Sequence, residues 1–233
     1  MDGLVRPLFP ELVHVAEMDP RTADPAVLLP EEAACVTRAV EKRRREFAAG
    51  RAMARRLLGA LGWPSDVPLL PGARREPCWP AGVLGTISHT DTWATVAVAR
   101  ASECEILGVD VERDAPLKDE VAERICNADE LAWIRDVARD PETRGRWAKL
   151  VFSAKEAAYK AQYPHSQTFL GFDAMGITFD PEAETFVARF RVDAPPFAVG
   201  ESWTGRFRCA GALLATGICL PRVQPSASAT PGR

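Results

Sequence analysis

Residues 105–112 read Glu-Ile-Leu-Gly-Val-Asp-Val-Glu. In a strand, positions i and i+2 share a face. Leu107, Val109 and Val111 then form an apolar face, and Gly108, Asp110 and Glu112 the opposite one. Two neighbouring carboxylates repel each other unless a cation lies between them, and Mg2+ with oxygen ligands answers that need. The same pair also fits a strand that ends in water, with Arg113 pairing to one acid. Gly108 is expected to leave room for a ligand to approach.

Working outward, 83–88 and 93–99 also read as strands, as do 175–179, 184–192, 203–209 and 212–219. The last two predict a hairpin turning near Ala210-Gly211. Helical patterning runs from Pro30 to about Leu61, in one piece or two, stopped by Gly62 and Pro64. It returns at 119–139, interrupted at Asn127, and at 143–161, stopped by Pro164. The Pro- and Gly-rich stretch 64–82 reads as loop. Helix followed by antiparallel strands in each half predicts an α/β (α+β) fold of two pseudo-duplicated subdomains, 1–112 and 113–220. The Pro, Ser and Ala tail 221–233 is expected to be disordered.

Composition narrows the function. The 233 residues are 47% hydrophobic and 26% charged, which suits a soluble globular chain with a sizeable core. The longest apolar run, 93–99, falls far short of the ~20 residues of a membrane helix. The first fourteen residues carry no apolar signal-peptide region, so a cytoplasmic location with reduced cysteines is expected. A net charge of −3 argues against a generic polyanion binder. Six Cys without a C-x-x-C pair and three scattered His leave a zinc cluster unsupported, so any metal should be a hard ion on carboxylates. Of 29 basic residues only five are Lys, at 42, 118, 149, 155 and 160.

Two of those lysines lie in Phe152-Ser-Ala-Lys-Glu-Ala-Ala-Tyr-Lys160. On a helix Phe152, Glu156 and Lys160 form one stripe, with Lys155 and Tyr159 beside it. Glu156 and Lys160 suit an ordinary surface ion pair worth about 0.3–0.5 kcal/mol. Glu156 between two cations equally suits a third metal ligand or a general base. In residues 41–62, Phe47, Ala54, Leu57, Leu58 and Leu61 make a core side. Arg44, Arg51 and Arg55 fall near one face, which suits either phosphate or solvent balanced by Glu41 and Glu46. Gly50 costs about 1 kcal/mol in a helix, which close packing or a ligand would explain. Arg74-Arg-Glu-Pro-Cys-Trp-Pro80 is a rigid basic loop, and His89 stands at a strand end as a surface residue or a phosphate donor.

Taken in order, R-R-x-E-F-x-x-G-R-x-x-A-R (43–55), R-E-P-x-W-P-x-G (75–82), I-S-H-T (87–90), G-V-D-V-E (108–112) and F-S-A-K-E-A-A-Y-K-A (152–161) resemble the surfactin- and enterobactin-type 4′-phosphopantetheinyl transferases, nearer the shorter enterobactin-like branch. L-G-F-D (170–173) also fits, whereas Phe152 stands where many surfactin-type members have Trp. The resemblance implies two similar α/β halves with the active site between them. It implies Mg2+-dependent transfer of phosphopantetheine from coenzyme A to a serine of an apo acyl or peptidyl carrier protein, releasing adenosine 3′,5′-bisphosphate. Acyl, peptidyl or aryl carrier proteins or domains are the expected partners, those of polyketide and nonribosomal-peptide secondary metabolism among them; the sequence leaves open whether a fatty-acid, polyketide or nonribosomal-peptide carrier is served. It implies metal binding by Asp110, Glu112 and Glu156, with Glu156 also taking the serine proton and Lys160 assisting the leaving phosphate. Lys155, His89, Arg43, Arg51 and Arg74 are implied around coenzyme A, with Arg44 as the substitute for Arg43. A monomer is expected, bound to neither nucleic acid nor membrane, with a basic and apolar carrier-docking face near the cleft that includes the 119–139 region. Two other readings compete: a Mg2+-dependent phosphohydrolase on the same acids, and a nucleic-acid-binding module on 38–56, where eight of 19 positions are basic.

Overall fold

The computed structural model describes residues 3–64 and 66–222. Two antiparallel sheets share the chain unequally. The first is three-stranded, with β1 (His14–Met18), β2 (Val83–His89) and β3 (Ala94–Arg100) in the order β1-β3-β2. The second holds β4 (Cys104–Arg113), β5 (Met175–Asp180), β6 (Thr185–Phe190), β7 (Ser202–Ala210) and β8 (Leu213–Pro221) in the order β4-β8-β7-β6-β5. The helices are α1 (Pro30–Cys35), α2 (Glu41–Ala60), α3 (Asp119–Ile125), α4 (Ala128–Val137) and α5 (Pro141–Ser166).

Local chemistry accounts for most boundaries. The Pro30 pattern breaks into α1 and α2. Asn127 does interrupt 119–139: it caps α4, accepting from Glu130 N while the Glu130 side chain takes the Asn127 N–H. Asp140 caps α5 through Thr143 N. The expected stop at Pro164 is overrun, because α5 continues to Ser166. A proline so near the end removes only one ladder bond, and Gln167 closes the last turn in the left-handed region, donating its N–H to Tyr163 O. The β7–β8 hairpin turns at Gly211, whose positive φ of 61° suits a residue without Cβ.

The strand that decides the fold does not lie where a division at 112/113 puts it. β4 pairs with β8, Asp110 opposite Thr216, so it belongs to the second sheet. Its other edge faces β2. There Thr86 Oγ1 accepts from Val109 N at 3.3 Å and Ser88 Oγ accepts from Val111 N at 3.2 Å. The two sheets therefore meet edge to edge through side-chain hydroxyls rather than a backbone ladder. Of the expected tail 221–233, only Pro221 and Arg222 fall within the described residues.

Three apolar cores follow from this layout. α2 lays Ala54, Leu57 and Leu58 on Val96 and Val98 of β3. α5 and the five-stranded sheet enclose Phe179, Phe186, Phe190 and Trp203. The third core joins the halves: Leu4, Val5, Leu8, Phe9 and Val13 pack on Ala97 and Ala99 of β3 and on Leu107, Val109 and Val111 of β4. The N-terminal segment, in which the sequence offers no motif, thus closes the back of the seam. Among the described residues no helix is long and apolar enough to cross a membrane.

Candidate active site

The apolar side of β4 is buried as its alternation predicts, so Asp110 and Glu112 face α5. Gly108 faces it too, but leaves no room for a ligand. A Cβ there would lie 2.1 Å from Ala157 O and 2.8 Å from Ala161 Cβ, so the glycine lets α5 press onto the strand. Gly50 likewise serves packing, since its Cβ would meet Ile87 Cγ2 at 3.3 Å.

Asp110 is buried and held from three sides. Lys160 Nζ donates to Oδ1 at 2.7 Å, Ser88 Oγ to Oδ1 at 2.9 Å, and Ser153 Oγ to Oδ2 at 2.9 Å. Lys149 Nζ donates to Glu112 Oε2 at 2.9 Å. The side chain of Glu156, one turn before Lys160, makes no hydrogen bond among the described residues. Burial pushes its carboxyl above the ordinary range; Lys160 pulls it back, and the charges of Asp110 and Glu112 push it up again. Glu156 is thus the acid best disposed to accept a proton near neutrality.

Sequence reasoning gave no role to Ser88, Ser153 or Lys149. Lys149 is two helical turns before Glu156, on the same side of α5, and that spacing was the available signal. Among the described residues no three His, Cys, Asp or Glu side chains converge as a metal-holding group. The donor chemistry nevertheless fits a hard divalent cation. Three carboxylates from β4 and α5 feel one another's charge, and the compensating charge here comes from Lys160 and Lys149.

Lys155 corrects the expected assignment to coenzyme A. Its side chain is 2% exposed and donates to Glu130 Oε2 at 2.8 Å, Ile125 O at 2.8 Å and Phe172 O at 2.9 Å. All three ammonium protons are engaged inside the second half, and none is left for a phosphate.

At the end of β2, Arg43 Nη1 lies 2.8 Å from His89 Nε2, and His89 Nδ1 lies 3.6 Å from Glu46 Oε2. Burial holds the His89 ring below its usual pKa; Glu46 opposes this, and Arg43 and Lys160 reinforce it. The ring is therefore neutral, accepting from Arg43. Arg44 is exposed and makes no side-chain bond among the described residues, so Arg43 is the member of the pair beside His89. Arg51 is buried against the Phe47 ring at 3.9 Å and donates from Nε to Leu69 O at 2.8 Å, while its Nη nitrogens make no hydrogen bond among the described residues. Burial lowers its pKa to about 10, which still leaves it charged. Arg55 bonds the buried Glu32 and Val27 O, and Arg45 bonds Glu41 and the carbonyls of Arg21 and Ala23. The arginine run therefore does not form one continuous basic face.

A cleft of about 590 Å3 opens between the two halves, lined by Trp79, Leu84 and Thr86 on one wall and Glu156, Tyr159 and Lys160 on the other. Arg74 stands at its rim, its guanidinium 5.3 Å from the centre of the Phe169 ring. The acids, Lys160, the Arg43–His89 pair and Arg74 are thus drawn from both halves to one seam, while Lys155 is not.

Residues 31–99 match the 4′-phosphopantetheinyl transferase N-terminal domain, and residues 106–212 match the 4′-phosphopantetheinyl transferase superfamily. The chain is 43% identical to the 4′-phosphopantetheinyl transferase Svp of Streptomyces mobaraensis, over 84% of this chain and 80% of the relative. It is 35% identical to the 4′-phosphopantetheinyl transferase PptT of Mycobacterium tuberculosis, over 82% and 86%. It is 32% identical to enterobactin synthase component D of Escherichia coli K12, over 71% and 77%.

Proposed function

This chain belongs to the 4′-phosphopantetheinyl transferase superfamily, and for it we propose a Mg2+-dependent transfer of phosphopantetheine from coenzyme A to the serine of an apo carrier protein, with adenosine 3′,5′-bisphosphate as the other product. The observation that carries the reading is the seam itself, where the Glu156 carboxylate, without a hydrogen-bond partner among the described residues, faces two further carboxylates and Lys160 at the edge of a cleft.

The serine oxygen forms a bond to the pantetheine-bearing phosphorus, and the bond from that phosphorus to the bridging pyrophosphate oxygen breaks. Glu156 takes the serine proton, because burial raises its basicity. Lys160 lies within reach of the negative charge that moves to the departing phosphate. His89 with Arg43, the Nη groups of Arg51, and Arg74 hold coenzyme A in place, since a misplaced phosphorus loses rate steeply. Asp110, Glu112 and Glu156 would hold Mg2+, which supplies charge neutralisation on the phosphate oxygens. Exposed Val121 and Arg124 on α3 offer the carrier an apolar and basic docking face. A cytoplasmic monomer serving polyketide or nonribosomal-peptide carriers completes the proposal.

Incubation with coenzyme A, with and without an apo carrier protein, tests it by mass spectrometry. Phosphopantetheine on the carrier serine is the expected result. Free phosphopantetheine without a carrier would point to hydrolysis instead, and an unmodified carrier would overturn the proposal.

A further inference from the structure

Cys104 opens β4, and Cys219 lies near the end of β8. Cys104 is paired with Pro221, so Cys219 is its diagonal neighbour on the same face. The register slips between Cys104 and Ile106, and the two sulfurs come to 3.6 Å. Closing that gap to a covalent S–S bond needs about 1.5 Å of movement. Cys104 is buried and Cys219 half-buried. We propose that Cys104 and Cys219 form a reversible disulfide site, oxidised by a small-molecule disulfide, that staples the first strand of the second sheet to the last.

The chemistry balances with that co-reactant. Cys219, the more accessible thiol, loses its proton to bulk base and attacks one sulfur of the small disulfide, forming a mixed disulfide; the departing sulfur takes up a proton and leaves as one thiol. Cys104 then attacks Cys219 Sγ and releases the second thiol. Two electrons pass from the protein to the small disulfide. In the reduced pair the hydrogen bond from Cys219 lowers the Cys104 thiol pKa, and that same bond and burial raise that of Cys219. Once Cys219 is in the mixed disulfide the bond is gone, and the neighbouring Arg222 still favours the Cys104 thiolate for the resolving step. The staple closes a loop containing all of α3 to α5 and β5 to β7. Constraining so long a loop in the unfolded chain should raise the melting midpoint by roughly 5–10 °C. Asp110 lies six residues further along β4, so transfer activity should not change.

The probe is oxidised glutathione on the full chain, followed by alkylation and peptide mass spectrometry. The expected product is one cross-linked peptide pair joining Cys104 to Cys219, lighter by two hydrogens, with a raised midpoint that dithiothreitol reverses. Cys104→Ser should stop at a glutathione adduct on Cys219 and show no rise in midpoint. A stable adduct on Cys219 of the parent with Cys104 open to alkylation would overturn the proposal. So would no reaction at either thiol, or a cross-link joining other cysteines.

Discussion

Helix α5 presents two lysines from one short motif to opposite surroundings. Five residues turn a helix by about 140°, so Lys155 and Lys160 leave it on different sides. Lys160 faces the seam, with 27% of its side chain exposed and Asp110 and Ser88 as partners. Lys155 enters the second core at 2% exposure, against Glu130 and two carbonyls. Glu130 in turn uses both oxygens: it also accepts from Asn127 N and Ile177 N, tying α4 and β5 to α5. One ammonium serves the cleft and the other serves the architecture. Motif membership alone does not separate the two roles; burial and the number of partners do.

The largest expected effect lies on the cleft side. Glu156→Gln should lower the transfer rate by about 10²–10⁴-fold while leaving coenzyme A affinity within a few fold, read by carrier modification and by calorimetry. Turnover equal to the parent would remove Glu156 as the base. The core side should answer in stability. Lys155→Met strands a buried carboxylate and should cost about 3–5 kcal/mol in urea unfolding. Lys160→Met also removes a partner from a buried carboxylate, but that side is partly open to water, so it should cost less stability than Lys155→Met, with the larger loss appearing in the rate. The opposite order of stabilities would break the comparison.

A smaller effect is expected at the arginines. Arg43→Ala should raise the KM for coenzyme A by about 10-fold, the cost of one charge-assisted hydrogen bond, while Arg44→Ala should leave it nearly unchanged. Equal effects would mean that His89 does not mark the binding side of α2. The pH response is the finest test. Because the folded state raises the Glu156 pKa, the rate should fall with acid at a higher pH than an ordinary carboxylate would dictate. Lys160→Met should move that limb further up, since Lys160 holds the value down. The sign carries over to stability. The folded form binds the extra proton, so this carboxyl destabilises the fold progressively as pH rises through its folded pKa. Glu156→Gln should therefore unfold later than the parent at neutral pH, and that advantage should vanish below the ordinary carboxylate range.

Apolar patterning located most strands and helices because each buries at least one face: Leu57 and Leu58 on one side of α2, and both faces of β3 in the apolar run 96–99. It missed β1, whose five residues, His-Val-Ala-Glu-Met, are few and alternate too poorly to read as a strand. It also drew the subdomain boundary after β4 rather than before it, because the hydrogen bonds that tie β4 to the second sheet come from β8, about a hundred residues later. At the site, two-residue spacing correctly put Asp110 and Glu112 on one face. Spacing could not say that Gly108 on that face is filled by Ala157, nor that Lys155 meets Glu130 across 25 residues. These are contacts between elements, and no local pattern encodes them.

The hydroxyl-bridged seam has one more consequence. An open strand edge is an invitation to pair with another chain. By setting β2 against β4, each sheet shields one border of the other, and the exposed borders shrink to β1 and β5. A half expressed alone would lose that shield and present a bare strand to its neighbours. Joining the halves thus protects the protein from self-association as well as assembling its cleft.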